Sequence, residues 1–298
     1  MRWLKLCLPL PVFLLLLGGN PAPGQGTNVL TRNYNNQRTG ANLSETALNV
    51  SNVNSGQFGK LFLLPVDDQI YAGILYVSAL QISGGTHNVI FVATGNNSVY
   101  AFDADSLGAP LWSRNFNGGG QPVTNAEVGG NCNPYNDYRG NIGIVGTPVI
   151  DGAAQTMYFV TRTVLNGTTV QSLHALNITN GADQPNSPQV IQATVPGTGD
   201  GTSSTVFKPQ TQNQRSALAL SQGVVYIAWS SYCDTPPYHG WVLAYNGTSL
   251  AQVAAYNVTP NGTQGGIWMA GAGPAFDTSG NIYYSVGNGT TDAAADYG

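Results

Sequence analysis

The stretch "VIFVATGNNSVYAFDADSLGAPLW", residues 89–112, decides the fold. An apolar run ends at Gly-Asn-Asn, an alternating run follows, and a second turn-like segment leads to Trp112. β-Branched and aromatic residues favour strands, whereas Gly, Asn and Asp favour the turns between strands. The stretch therefore predicts three short antiparallel strands joined by tight turns.

The first of these strands recurs along the chain at near-constant spacing. Its counterparts are "TMYFVT" (156–161), "VVYIAW" (224–229) and "NIYYSV" (281–286). A short apolar element precedes each copy of this strand. In the first three units, two further strand-like elements follow it. Four short strands per unit are the pattern of a β-propeller blade, whose faces are covered only by neighbouring blades. We therefore predict an all-β fold: a β-propeller of four-stranded antiparallel blades.

The repeat also predicts how the chain is divided. The predicted blades are about residues 69–118, 142–196, 214–260 and 268–298, and the last one stops after its second strand. Three and a half blades do not close a ring. We therefore expect a truncated chain, with an incomplete ring whose natural partners are the remaining blades of a longer protein.

Asp103 and Asp105 resemble the start of a calcium-binding loop. Such a loop needs an oxygen ligand where Leu107 stands, so the spacing fails. The equivalent positions in other blades are Asn177 and Asn246, which suit a turn where the side chain bonds nearby backbone. The sequence favours a turn over a metal site.

Residues 1–26 have the pattern of a signal peptide. Arg2 and Lys5 precede the apolar segment "LCLPLPVFLLLL" (6–17), and small residues follow. The apolar segment is shorter than the roughly 20 residues needed to span a bilayer, although a retained anchor is the alternative. We expect a secreted or periplasmic protein with no membrane partner after cleavage.

Composition limits the partners further. Charged residues make up 8% of the chain and the net charge is −4, which argues against a nucleic-acid partner. Removal of the signal peptide leaves two cysteines, Cys132 and Cys233. In an oxidising compartment this pair predicts one disulfide, and two separate buried thiols are the alternative.

Several segments resemble the pyrroloquinoline-quinone-type β-propellers, the quinoprotein alcohol dehydrogenase-like superfamily, in a secreted bacterial branch. These segments are "YNNQRTGANLSETAL" (34–48), "GTPVID" (146–151), "IQATVPGTGDG" (191–201), "SYCDTPPYHGWVLAY" (231–245) and "GGIWMAGAGPAFDTSGNIYYSVGNG" (265–289). The resemblance spans nearly all of the chain after the predicted signal peptide. It implies pyrroloquinoline quinone with calcium as a possible cofactor. The adjacent cysteines and the Glu-Asn-Asp calcium ligands of the quinone-dependent enzymes have no match in this sequence.

Four residues are candidates for ligand binding, and each also has a structural interpretation. Arg215 precedes an inner strand and is suited to an anion at the channel mouth, or to backbone carbonyls between blades. His239 and Trp241 lie close together in a loop-like segment. His239 is suited to act as a base or ligand, and Trp241 is suited to stack on a ring. The structural interpretation is that the segment is a loop connecting two blades and that Trp241 begins a strand. Trp268 is flanked by glycines and is suited to cover a flat ligand, or to pack between blades.

Three hypotheses about function follow. The leading one is an exported binding or scaffold module with a small-molecule site at the mouth of the central channel. The second is a quinone-dependent dehydrogenase that oxidises an alcohol or sugar, as the resemblance implies. The third is a glycan-binding or glycan-cleaving propeller, suggested by the many Trp and Tyr residues.

Overall fold

The computed structural model describes residues 27–128 and 134–290. These residues form antiparallel β-strands and one short helix, α1 (Asn125–Val128). The predicted signal peptide (residues 1–26) and Cys132 lie outside the described residues. Within the described ranges, no helix is both long and apolar enough to cross a membrane.

The opening stretch belongs to the first sheet, whose strands pair in chain order. The strands are β1 (Leu75–Ile82), β2 (Gly85–Ala93), β3 (Ser98–Asp103) and β4 (Trp112–Asn115). The backbone N–H of Asp105 donates to Oδ1 of Asp103 at 2.8 Å. Asn177 and Asn246 accept equivalent bonds from Thr179 and Thr248, at 2.8 and 3.0 Å. The turn interpretation of these positions is confirmed.

The next two sheets repeat this order with an added short strand. The second sheet contains β5 (Gln121–Pro122), β6 (Val149–Asp151), β7 (Thr156–Leu165), β8 (Thr168–Asn177) and β9 (Gln189–Val190). A hairpin follows, formed by β10 (Thr194–Pro196) and β11 (Ser204–Val206). The third sheet contains β12 (Gln212–Asn213), β13 (Ala219–Ser221), β14 (Val224–Ser231), β15 (Trp241–Asn246) and β16 (Gln252–Asn257). The fourth consists, among the described residues, of β17 (Ala275–Phe276) and β18 (Ile282–Tyr283).

Apolar side chains fill the spaces between successive sheets. Leu75 and Phe91 of the first sheet pack in one cluster with Met157 and Phe159 of the second. Leu173 of the second sheet shares the next cluster with side chains of the third, including Trp229 and Leu243. A smaller cluster joins the third sheet to Ile282 of the fourth. Each sheet therefore covers its neighbour, as the repeat predicts.

One N-terminal segment, residues 29–38, shows that the inner strands converge. Its hydrogen bonds reach the inner strand of every sheet: Val29 to Tyr76, Leu30 to Ile150, Asn36 to Leu220 and Phe276, and Arg38 to Leu218 and Pro274. The four inner strands are therefore close enough for one short segment to bond to all of them, as in a propeller. The fold is a β-propeller of four-stranded antiparallel blades, and residues 29–38 lie along its inner strands.

Candidate functional site

Arg215 lies where neighbouring blades meet near the axis. Directly after it, Leu218 bonds the carbonyl of Thr147 in the second blade at 2.9 Å, and Ala217 bonds that of Ala272 before the fourth at 2.8 Å. The Arg215 side chain is half-buried and forms no ion pair with another described residue. The sequence prediction therefore placed this cation correctly before an inner strand, but its role as a ligand is a separate question.

Four tyrosines form a buried group beside Arg215, called here the tyrosine cluster: Tyr71, Tyr135, Tyr138 and Tyr232. The ring centroids of Tyr71 and Tyr138 are 5.0 Å apart, and those of Tyr135 and Tyr232 are 5.6 Å apart, both with edge-to-face geometry. Burial raises the pKa of Tyr138, and the charge of Arg215 opposes this shift. Burial also raises the pKa of Tyr135 and Tyr232. These hydroxyls therefore stay protonated at neutral pH and can donate hydrogen bonds.

A second cation, Arg162 of β7, lies against the same tyrosines. Its side chain is only 3% exposed, and its Cζ lies 4.2 Å from the centroid of the Tyr232 ring. Nη2 donates to the carbonyl of Gln210. Nε and Nη1 have no hydrogen-bond partner among the described residues. Sequence reasoning missed Arg162 because "TMYFVTRTVL" reads as a buried strand, although a charge inside an apolar run was a visible signal.

Among the described residues, no carboxylate forms an ion pair with either of these two cations. Glu127 is held by the backbone N–H and hydroxyl of Thr124, at 2.7 and 2.6 Å, and Asp137 is exposed. Burial opposes the shift, but the Thr124 bonds and the charge of Arg162 lower the pKa of Glu127, which is therefore ionised. Neither carboxylate forms an ion pair with Arg162 or Arg215 within the described ranges. Arg162, Arg215, Asn213 and the tyrosine cluster form what we call the central site.

His239 does not join this group through its side chain. Nε2 lies 3.3 Å from Oδ1 of Asp200, and Nδ1 lies 3.0 Å from the hydroxyl of Thr259. Lys208 also pairs with Asp200, at 3.0 Å. Burial lowers the pKa of His239, and Asp200 opposes the shift. Its backbone carbonyl accepts a bond from Gln212 at 2.7 Å. His239 therefore connects three segments of the chain, those that contain Asp200, Gln212 and Thr259.

The two tryptophan candidates also lie apart from Arg215. Trp241 is 0% exposed and packs edge-on against Phe207 between the second and third blades. Because Trp241 is fully buried, neither face of its ring is accessible to a ligand. Trp241 is the first residue of β15 and belongs to the hydrophobic core. The indole of Trp268 is half-buried and lies against Gly266 and Gly287, where an added Cβ would come within 3.1 Å of it. Trp268 therefore packs on the glycine backbones that flank it.

Two further predictions have limited structural context. Cys233 packs at the edge of the tyrosine cluster, but Cys132 lies outside the described residues, so their disulfide stays a prediction. The part of the chain that is described contains no group of three His, Cys, Asp or Glu side chains that could hold a metal ion.

Comparisons with known proteins give one kind of likeness. No family model and no curated protein matches the chain. Among solved structures, it is similar to a quinohemoprotein alcohol dehydrogenase from Comamonas testosteroni, at 14% identity and a TM-score of 0.40. It is also similar to a quinohemoprotein alcohol dehydrogenase from Pseudomonas putida HK5, at 10% identity and a TM-score of 0.38. Each alignment covers 72% of this chain and 34% of the other, so the chain spans about a third of those proteins.

Proposed function

We propose that this chain is an exported, quinoprotein-like β-propeller that acts as a binding module, with its ligand at the central site. The observation that carries the proposal is Arg162, a buried guanidinium with two nitrogens that no described residue engages. Buried charged groups in proteins are nearly always paired or bonded. A group that the fold leaves unpaired is therefore a candidate to meet a ligand.

The position of the central site supports the same function. Residues 29–38 occupy the region around Leu218 and Leu220, whereas Arg215 lies before these residues on the same inner segment. Arg215 therefore lies outside the part of this inner segment to which residues 29–38 bond. In propellers the inner-strand ends surround the central channel, where groups from several blades can converge on one ligand.

The two alternative functions receive less support from the side chains. The dehydrogenase needs a quinone and calcium, and the adjacent cysteines and the Glu-Asn-Asp set of the quinone-dependent enzymes have no match in this sequence. The glycan hypothesis needs exposed aromatic faces; Trp229 and Trp241 are fully buried, and the exposed rings of Tyr256 and Tyr283 lie on other strands, β16 and β18, away from the central site. We therefore derive no catalytic step from either alternative.

The test is a thermal-unfolding screen of the full chain with small molecules of different charge: glucose, choline, malonate, inorganic phosphate and chitotetraose. A ligand present at a hundred times its Kd stabilises the folded state by about 2.7 kcal/mol, which raises the Tm measurably. We expect at least one stabilising compound whose effect is lost in Tyr138→Phe or Arg215→Gln. Arg114→Gln, at a surface ion pair with Asp183, is the matched control. A screen in which no compound acts, or in which the control loses the effect equally, contradicts the proposal.

A further inference from the structure

The central site has an excess of positive charge that the described residues do not balance. Arg162 is 3% exposed. Its Nη2 donates to the carbonyl of Gln210 and its guanidinium contacts the Tyr232 side chain, whereas Nε and Nη1 have no hydrogen-bond partner among the described residues. An arginine cannot lose its proton at any physiological pH, so it cannot escape the cost of burial by becoming neutral. Its remaining N–H donors need an acceptor, and a negatively charged acceptor forms the strongest hydrogen bonds with a guanidinium.

Other donors face the same place. Arg162 Cζ lies 4.2 Å from the centroid of the Tyr232 ring. Burial raises the pKa of Tyr138 and Tyr232, and the positive charge of Arg215, two residues after Asn213, opposes this rise. The tyrosine hydroxyls are protonated, and Nδ2 of Asn213 reaches the Tyr138 hydroxyl at 3.5 Å. The Tyr71 hydroxyl already donates to the carbonyl of Arg139. Arg162, Arg215 and the hydroxyls of Tyr138 and Tyr232 are therefore the donors of this site, and no described carboxylate forms an ion pair with either arginine.

The neighbouring acids do not fill this role. Glu127 is already bonded to Thr124, and Asp137 faces solvent. Neither carboxylate approaches Arg162 or Arg215 within the 4.0 Å of an ion pair. By contrast Arg114, a surface arginine, has its own carboxylate in Asp183 at 2.9 Å. Arg38 also lacks a carboxylate, but its guanidinium donates to three backbone carbonyls and the Thr31 hydroxyl. What distinguishes Arg162 is therefore that two of its buried nitrogens have no hydrogen-bond partner among the described residues.

We infer that the central site binds a small oxyanion, a carboxylate or a phosphate, between Arg162 and Arg215 with tyrosine hydroxyls as further donors. This inference rests on the proposed function and names its ligand class. Planar guanidinium groups bind both oxyanions through paired N–H donors, so the two sources share one chemistry.

The experiment measures binding of two probes, inorganic phosphate and malonate, to the full chain by calorimetry at constant ionic strength. Variants Arg162→Gln and Arg215→Gln each remove one cation, and Arg114→Gln is the matched control. We expect each central-site variant to weaken binding at least about tenfold, as for loss of a charge-assisted hydrogen bond. The control binds as the wild type does. Phosphate binding without malonate binding identifies the phosphate source, and the reverse identifies the carboxylate.

Two further comparisons keep the result decisive. If Arg162→Gln fails to fold, the half-buried Arg215 is tested as Arg215→Gln and Arg215→Lys, and we expect Lys to restore part of the affinity that Gln loses. The inference is overturned if neither probe binds, or if both bind equally well to all variants. Should glucose or choline bind instead and lose affinity in Tyr138→Phe, the inference fails while the proposed function stands. Absence of any ligand in the earlier screen rejects both.

Discussion

Arg162 and Gln171 face each other across β7 and β8, and both side chains are buried, yet the fold treats their polar atoms differently. Gln171 donates to the carbonyls of Pro209 and Gln212, at 2.8 and 2.7 Å, and accepts from the indole of Trp229 at 2.8 Å. Arg162 reaches the same connecting segment but bonds only Gln210 there. Two facing residues that are both buried therefore differ in how far the fold satisfies their hydrogen-bonding groups, and in Arg162 the unsatisfied group is charged.

A third residue on this hairpin shows another response to burial. His174 of β8 stacks on Phe159, with ring centroids 5.0 Å apart, and its Nε2 lies 3.0 Å from the hydroxyl of Thr161. Burial lowers the pKa of His174 to about 4, so the ring stays neutral inside the protein. Histidine can give up its charge, whereas arginine cannot. The same hairpin thus contains a satisfied amide, a neutralised imidazole and an unpaired guanidinium.

The apolar side of this hairpin is predicted to give the largest effect. Leu173→Ala empties part of the core between the second and third blades, where Leu173 is fully buried. We expect a loss of about 2–5 kcal/mol in the free energy of unfolding, because transfer and cavity terms add. Urea unfolding measures it, with the exposed Leu107→Ala as the control. An equal loss in both variants would show that this interface does not carry the fold.

The pH dependence of stability tests the neutral imidazole. Below its unfolded pKa near 6.5, His174 takes up a proton in the unfolded chain but not in the folded one. Stability is therefore lost as the pH falls from about 6.5 to about 4, by an amount near 3 kcal/mol. His174→Gln, which does not titrate, should reduce the difference in unfolding free energy between pH 7 and pH 4.5. His239 and other acid-sensitive groups remain in both proteins, so an unchanged difference would contradict the assignment.

Removal of the Gln171 amide is expected to have the next largest effect on the free energy of unfolding. Gln171→Leu keeps the volume but leaves the Trp229 indole N–H and two carbonyls without their partner. Leaving buried polar groups unbonded costs about 1–3 kcal/mol, and we expect a loss of that size in urea unfolding. Gln189→Leu, at an exposed position, should change stability little. If Gln171→Leu were neutral, hydrogen-bond satisfaction would not distinguish the two sides of the hairpin.

The sequence predicts the strands of this protein better than its site. Phe91, Tyr158, Tyr226 and Tyr283, aligned by the repeat, all lie in strands, because alternation and turn residues are local signals. The position of Arg215 just before an inner strand follows from the same local signals, whereas its role in ligand binding stays a prediction. Trp241 and Arg162 depend on distant contacts, with Phe207 and with the segment at Gln210. No spacing along the chain reveals whether a buried donor finds its partner.

The smallest expected change in the free energy of unfolding is that of Arg162→Met, and this variant is the one expected to be neutral or stabilising. Arg162→Met gives up the contact with the Tyr232 ring and the bond to Gln210, but it removes a buried charge that lacks an ionic partner. Replacing buried ionic groups by apolar ones of similar volume is often neutral or stabilising. We expect an unfolding free energy within about 1 kcal/mol of the wild type, or above it, in buffer without oxyanions.

Oxyanions should then reverse that order, because only the wild type can use them. With phosphate or malonate present, the wild type gains stability from binding and Arg162→Met does not. Urea unfolding of the wild type and Arg162→Met, with and without each anion, measures which of the two proteins is more stable under each condition. Arg114→Met controls for the loss of one positive charge. A loss of more than about 3 kcal/mol in anion-free buffer would mean that the guanidinium is already paired inside the protein. Arg162 would then be as structural as Gln171, and the contrast across β7 and β8 would disappear.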